Sequence, residues 1–338
     1  MHIEIPKATD LEEKVFRIDN EKDFLSIALE IYHFQFANNL IYQDYCKALN
    51  KLPEMVTDLR DIPFLPISFF KSHRVITTSF DPEIVFKSSG TTGMTTSIHY
   101  VKSCKLYERS FMEGFGKFYG NIEDYCIIGL LPSYLERGQS SLVYMVDSLI
   151  KRSGHEDSGF YLYDYEKLHE LLIRLEKVGQ KTLLIGVTYA LLDYAKQYPH
   201  KLQHTIVMET GGMKGKQKEI TRKELYLQLK ESFGLNTIHS EYGMTELLSQ
   251  AYAIDGNFKT PSWMKILLRD ETDPFNIYDM GAENTHASGV INVIDLANIY
   301  SCSFIATEDA GIYAQNAGFE VLGRVDNSDV RGCSLMVL

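Results

Sequence analysis

Six consecutive residues, Ser88-Ser89-Gly90-Thr91-Thr92-Gly93, combine four hydroxyls with two glycines and carry no bulky side chain. Glycine lets the backbone enter φ > 0 and aim successive N–H groups at one anion, and the hydroxyls add donors that can follow phosphate oxygens. The stretch lies between the apolar runs Ile84-Val85-Phe86 and Ile98-His99-Tyr100-Val101. It therefore reads as a loop between two extended segments, suited to polyphosphate. A Walker loop would place lysine directly after the second glycine, whereas Met94 follows Gly93, so this is a different kind of phosphate binder. A Ser/Thr/Gly turn joining two strands is also an ordinary structural object, and the hexamer alone leaves both readings open.

Five further groups could take part in chemistry with such a ligand. Met208-Glu209-Thr210-Gly211-Gly212 ends an apolar run in two glycines, which admits a flat ring close to the backbone or forms a plain strand-to-helix turn. Tyr242-Gly243-Met244-Thr245-Glu246 sets an aromatic ring, a hydroxyl and a carboxylate within five residues. Asp309, in Thr307-Glu308-Asp309, is either a ligand of hydroxyls or a solvated turn residue ahead of Gly311. Arg324, in Gly323-Arg324-Val325-Asp326, offers a fork of donors to ribose or phosphate, or pairs on the surface with Asp326 or Asp329. Cys333, in Arg331-Gly332-Cys333-Ser334-Leu335, is either a small apolar residue finishing a strand or a reactive thiol.

The ordered set of motifs resembles the adenylate-forming superfamily of acyl-CoA synthetases, luciferases and peptide-synthetase adenylation domains. Within it the chain is most similar to the acyl-protein synthetase (LuxE) branch. The likeness to that branch is carried by Ile62-Pro63-Phe64-Leu65-Pro66 leading to Phe70-Lys71, by Leu131-Pro132-Ser133-Tyr134 followed by Ser140-Ser141-Leu142-Val143-Tyr144-Met145, and by the ending around Cys333. It extends from about Ile62 to the C-terminus.

The resemblance implies ATP and Mg²⁺ as cofactors and a carboxylic acid, favoured to be a medium- to long-chain fatty acid, as substrate. Ser88, Ser89, Gly90, Thr91, Thr92 and Gly93 would hold the phosphates. Gly211 and Gly212 would wall the adenine, Tyr242 would stack on it, Thr245 would bond the α-phosphate, and Glu246 would ligate Mg²⁺. Asp309 would accept the ribose hydroxyls and Arg324 would meet ribose or phosphate. In the branch it resembles, the acyl group passes from the adenylate to a cysteine near the C-terminus, here Cys333, and on to an acyl-CoA-reductase-like or acyltransferase partner. An acyl-CoA or carrier-protein ligase using an external thiol, and a non-catalytic nucleotide-binding scaffold, are the alternatives.

Two departures bear on the mechanism. The superfamily loop usually continues into Pro-Lys, whereas Met94-Thr95-Thr96-Ser97 follows here, with Lys214 and Lys216 as possible replacement cations. Full-length superfamily members also carry a mobile lid with a lysine after the Gly-Arg-x-Asp hinge. The given chain is expected to lack that lid, as the acyl-protein synthetases do.

The elements that must position these groups alternate. Asn20 is expected to cap a helix in an N-terminal helical part reaching about Leu49. Strands are expected at Cys126-Ile127-Ile128-Gly129-Leu130-Leu131, Thr182 to Gly186 and Thr205 to Met208, with helices over Ser141 to Arg152, after Asp164, over Tyr189 to Tyr198 and over Thr221 to Phe233. Such alternation predicts an α/β fold of mostly parallel strands flanked by helices. The runs Ile266 to Leu268, Val290 to Ile294 and Phe304 to Ala306 lack long helices between them and predict a smaller β-rich C-terminal subdomain. Residues 1–262 would form the helical N-terminus and nucleotide-binding core, and 263–338 the subdomain of the same catalytic unit.

Composition fits an enzyme of this size. The 338 residues are 45% hydrophobic and 23% charged, enough to bury a large core. A formal charge of −11 excludes the basic footprint of non-specific nucleic-acid binding. No apolar run reaches the roughly 18 residues of a membrane span. The five cysteines are dispersed, with neither disulfide nor zinc spacing, so a reducing cytoplasm is the expected location. Cys46, Cys104, Cys126 and Cys302 read as structural. The aromatic runs Phe64 to Phe70 and Phe111 to Tyr119 fit either an acyl tunnel or the core.

Overall fold

The computed structural model describes residues 6–88, 95–132, 138–211, 221–278, 286–314 and 318–325. The chain begins with helices α1 (Ala8–Val15), α2 (Glu21–Asn38) and α3 (Leu40–Ala48). Asn20 caps α2, its side-chain oxygen accepting from the Asp23 N–H at 2.9 Å. A cap of this kind stabilises a helix by about 1 kcal/mol. Asn39 ends α2 and caps α3, accepting from the Tyr42 N–H at 3.0 Å. The inward face of α2 also holds Gln35, whose fully buried amide donates to the carbonyls of Asn298 and Ile299 and to Ser303 Oγ, and accepts from the Ser303 N–H. Every polar atom of that amide is thereby matched, as burial requires. The N-terminal helices are thus locked onto a segment some 260 residues away.

A short strand β1 (Leu65–Pro66) and a single helical turn α4 (Phe69–Ser72) lead to a separate hairpin of β2 (Ile84–Lys87) and β3 (Ile98–Val101). Helix α5 (Cys104–Tyr119) follows, and the alternating core then begins: β4 (Cys126–Leu130), α6 (Ser141–Ser153), β5 (Gly159–Phe160), α7 (Tyr165–Val178), β6 (Thr182–Val187), α8 (Thr188–Gln197), β7 (Thr205–Thr210), α9 (Arg222–Phe233) and β8 (His239–Tyr242). These strands pair in parallel in the order β5-β4-β6-β7-β8. Both faces are buried, and successive residues take opposite sides as the two-residue period of a strand demands. Ile127, Leu183, Ile185 and Met208 pack with α5 and α6, while Ile128, Leu130, Leu184 and Val207 pack with α7, α8 and α9. The expected α/β alternation is therefore present, with Asp164 capping α7 and Thr221 capping α9 in a box with Glu224.

From β8 the same sheet continues antiparallel through β9 (Ala251–Ile254), β10 (Asn257–Lys259), β14 (Gly318–Arg324), β13 (Phe304–Ala314), β12 (His286–Asp295) and β11 (Met264–Arg269). The β-rich C-terminal part is thus hydrogen-bonded into the α/β part through β9 and β10. β1 adds in parallel to β13, completing twelve strands among the described residues. Among those residues no helix is long and apolar enough to cross a membrane.

Candidate active site

In open α/β sheets ligands gather beyond the carboxyl ends of the strands. Gly211, one residue past β7, has φ +75°, and a Cβ added there would meet nothing within 4 Å. Its carbonyl accepts from Thr188 Oγ1 at 2.9 Å, so the glycine holds a left-handed turn whose outer side no described residue fills. Tyr242 ends β8. Its ring packs edge-on against Phe258 and Phe319, and its hydroxyl donates to Asp309 Oδ2 at 2.9 Å. Burial, then the Asp309 charge, push the Tyr242 phenol well above its ordinary range, so it stays a donor.

Asp309 reaches this place because β13 and β14 pair it directly opposite Arg324, with Nε and Oδ1 3.8 Å apart. Its backbone N–H donates to Thr307 Oγ1 at 3.1 Å, while Arg269 donates to the Thr307 carbonyl at 2.6 Å. Three residues expected at the site, Tyr242, Asp309 and Arg324, are therefore neighbours, although Tyr242 lies more than 60 positions before the other two in the chain. A half-buried carboxylate beside a phenol and an exposed guanidinium suits a ribose diol and the nearby phosphate.

Thr245 and the buried Glu246 follow β8 in a tight turn, where the Leu247 N–H donates to the Met244 carbonyl at 3.1 Å. Irregular backbone at such depth needs partners. The Asp295 carboxylate supplies several, accepting from the N–H groups of Leu248 and Ser249 at 2.7 and 3.0 Å and from Ser249 Oγ at 2.5 Å. Trp263 Nε1 in turn donates to Ser249 Oγ and Ser110 Oγ, which ties the turn to α5. Among the described residues no group of three or more His, Cys, Asp or Glu side chains could hold a metal. A Mg²⁺ ion that shares its shell between one carboxylate and phosphate oxygens needs no such cluster.

Ser88 closes the base of the β2–β3 hairpin: its N–H donates to the Ser97 carbonyl at 3.1 Å and its Oγ accepts from the Ser97 N–H at 2.9 Å. Ser89, Gly90, Thr91, Thr92, Gly93, Gly212 and Cys333 lie outside the described residues, as do Lys214 and Lys216. Of the described cysteines, Cys46, Cys126 and Cys302 are buried. Burial pushes the Cys46 thiol up to about 12 and Cys126 to about 11, and it raises Cys104 and Cys302 as well. None of these four is an activated thiol. Phe64, Phe70, Phe111 and Phe115 all lie in the core. A cavity of about 740 Å³ between α5 and α6 is lined by Arg109, Met112, Phe115, Lys151 and Arg152 among others, and touches none of the Tyr242 set.

Reading the sequence missed a polar cluster behind Gly211 and Tyr242. Thr210 Oγ1 donates to Glu241 Oε2 at 2.5 Å, and Thr188 and Ser240 donate to the two oxygens of Glu209 at 2.7 and 3.2 Å. Glu241 Oε1 is tucked so close to Gly243 that a Cβ there would sit 2.5 Å from it. A glutamate ending an apolar strand, as in Val207-Met208-Glu209, was the available signal. Burial, with Glu209 adding like charge, pushes Glu241 from its ordinary 4.5 up to about 7. The folded protein then binds more protons than the unfolded chain between those values, so stability falls as pH rises through that window. Glu241→Gln is expected to flatten this slope in urea unfolding at pH 5 and pH 7.5. A slope equal to that of the wild type would mean that Glu241 is already ionised at the lower pH.

The fold is one that a solved ligase shares. The architecture matches that of 2-hydroxyisobutyryl-CoA ligase, solved in complex with R3-HIB-AMP, with a TM-score of 0.58 over 90% of this chain and 68% of that one at 10% identity. The protein belongs to the acyl-protein synthetase (LuxE) family, whose model matches residues 12–338. A long-chain-fatty-acid–luciferin-component ligase of Vibrio harveyi is 25% identical over a 338-residue alignment covering 90% of this chain and 84% of the relative. One from Photorhabdus luminescens is 28% identical over 104 residues, covering 28% of this chain and 89% of that sequence. The family and fold expected from the motifs are thus the family and fold found, and the protein is a ligase.

Proposed function

We propose that the protein uses ATP to convert a medium- to long-chain fatty acid into its acyl adenylate and then takes the acyl group onto Cys333. The observation that carries this reading is the convergence of Tyr242, Asp309 and Arg324 beside the Thr245-Glu246 turn, in a chain of the acyl-protein synthetase family. A carboxylate is a poor electrophile. Its oxygen attacks the α-phosphorus of ATP, the bond to the β-phosphate bridge breaks, and pyrophosphate leaves. In this step Gly211 and Tyr242 hold the base, Asp309 and Arg324 the ribose, and Thr245 an α-phosphate oxygen. Mg²⁺, held by Glu246 and the phosphates, would neutralise the charge that develops on the leaving group. The Cys333 thiolate then attacks the mixed anhydride, AMP departs, and the thioester passes to a reductase-like or acyltransferase partner.

Exchange of labelled pyrophosphate into ATP, run across a panel of acids, tests the first half of this reaction. Fatty acids of eight or more carbons are expected to drive exchange far better than short or aryl acids. A panel in which only the latter worked would overturn the substrate class. No exchange with any acid, with a reductase-like partner also present, would leave a nucleotide-binding scaffold as the reading.

A further inference from the structure

The Thr245-Glu246 turn is clasped by two residues that none of the recognised motifs contains. His99 Nδ1 lies 2.8 Å from the Thr245 carbonyl, and Asn298 Nδ2 donates to the Glu246 carbonyl at 2.8 Å. The two side chains meet each other, His99 Nε2 lying 3.2 Å from Asn298 Oδ1. Two successive carbonyls are therefore each held by a different side chain, and the two side chains pack against one another.

Both members are anchored independently of the turn. His99 is buried in β3, with the ring of Phe70 edge-on at 6.0 Å. Asn298 also donates to the Cys302 carbonyl at 2.9 Å, in the segment that Gln35 and Asn39 hold from α2 and its C-cap. Because Nδ2 faces two carbonyls, the amide can point only its oxygen at His99. Burial drives the imidazole towards neutrality, down to about 4, and the shorter contact places its single proton on Nδ1, donating to the Thr245 carbonyl; Nε2 then carries no proton and only packs against Asn298 Oδ1. Strand β3 is one arm of the hairpin that leads into and out of the Ser88–Gly93 stretch, and Ser88 and Ser97 pair across its base.

We propose that His99 and Asn298 are positioning residues for adenylation, which fix the Thr245-Glu246 turn relative to the hairpin that carries the phosphate-binding sequence. This inference rests on the proposed function. Holding reacting groups to within a fraction of an ångström is worth large rate factors, and a displacement of about 1 Å can cost on the order of a hundredfold. Neither residue needs to touch substrate for this. Each acts through the backbone of residues that would.

The test is pyrophosphate exchange with His99→Asn, which keeps a donor near the position of Nδ1, beside His99→Gln and His99→Leu. Expected is a fall in kcat of about tenfold for His99→Leu and His99→Gln, the loss matching one well-made hydrogen bond. KM for the fatty acid should be unchanged, and His99→Asn should stay within about threefold of wild type. If His99→Leu does not fold, as judged by circular dichroism, the comparison of Asn with Gln decides: equal rates overturn the proposal. Wild-type kcat in a folded His99→Leu variant would also overturn it. Absence of exchange in the wild type would instead overturn the functional reading, and this inference with it.

Discussion

Cys333→Ser is expected to abolish the acyl-enzyme completely while leaving pyrophosphate exchange at the wild-type rate. The two half-reactions ask different things of the protein. Adenylation needs ATP, the acid and a scaffold that neutralises charge, and no thiol takes part in it. Transfer needs a nucleophile with a populated anion at neutral pH. An unperturbed thiol, with a pKa of about 8.5, supplies a few per cent of thiolate, and Arg331 beside it would raise that share. A serine hydroxyl supplies essentially none. Intact-protein mass spectrometry after incubation with ATP, Mg²⁺ and a fatty acid should show a hydroxylamine-labile acyl mass on the wild type alone. The same adduct on Cys333→Ser would move the acyl site elsewhere, although the raised thiols of Cys46, Cys104, Cys126 and Cys302 make them poor candidates. An unmodified wild type that makes acyl-CoA when coenzyme A is supplied would mean that the acceptor thiol is external.

Glu246→Gln is expected to lower the adenylation rate by roughly a hundredfold or more, since a metal that neutralises transition-state charge contributes several kcal/mol. The amide matches the carboxylate in size, so the buried position should still pack and the protein should still fold. Its defining readout is the Mg²⁺ dependence of exchange: the variant should need far more metal, because a neutral amide is a weaker ligand for a hard cation. Unchanged activity at limiting Mg²⁺ would remove Glu246 from the metal site. An unfolded variant would show instead that the carboxylate is needed for stability, which circular dichroism separates from a catalytic loss.

Much of the architecture was legible from local signals. Asn20, Asp164 and Thr221 announce helix starts, and each accepts the capping bond its chemistry predicts. Cys126 to Leu130, Leu183 to Val187 and Ile206 to Met208 are short continuous apolar runs, as strands covered on both faces must be. The strand through Thr205 runs on to Thr210, two residues past the apolar Met208, because Glu209 and Thr210 pair in the ladder with Ser240 and Glu241. Apolar periodicity does not register a polar strand end of that kind.

The candidate site divides along the same line. Tyr242, Thr245, Glu246, Asp309 and Arg324 stand in short motifs whose order along the chain resembles that of adenylate-forming enzymes, and that resemblance nominated them. His99, Asn298 and Asp295 stand in no such motif. His99 contacts a residue 146 positions away, and Asn298 Oδ1 one 199 positions away. A lone histidine in a strand or a lone asparagine in a loop carries no periodic or capping signature, since its partners are set by how strands from distant parts of the chain are brought into one sheet.

What the sequence determined by itself is the α/β class, the family and the inventory of reactive groups, because propensity, period and motif are properties of neighbours along the chain. Tertiary structure alone decided which groups face one another and in what protonation state. Glu241 is pushed up to about 7 because packing on both sides of the sheet strips it of water and places Glu209 beside it. The Thr245-Glu246 carbonyls find their side-chain partners because β3 and the segment after β12 meet behind the turn. Desolvation and long-range hydrogen bonding are functions of packing, and packing exists only once the chain has folded.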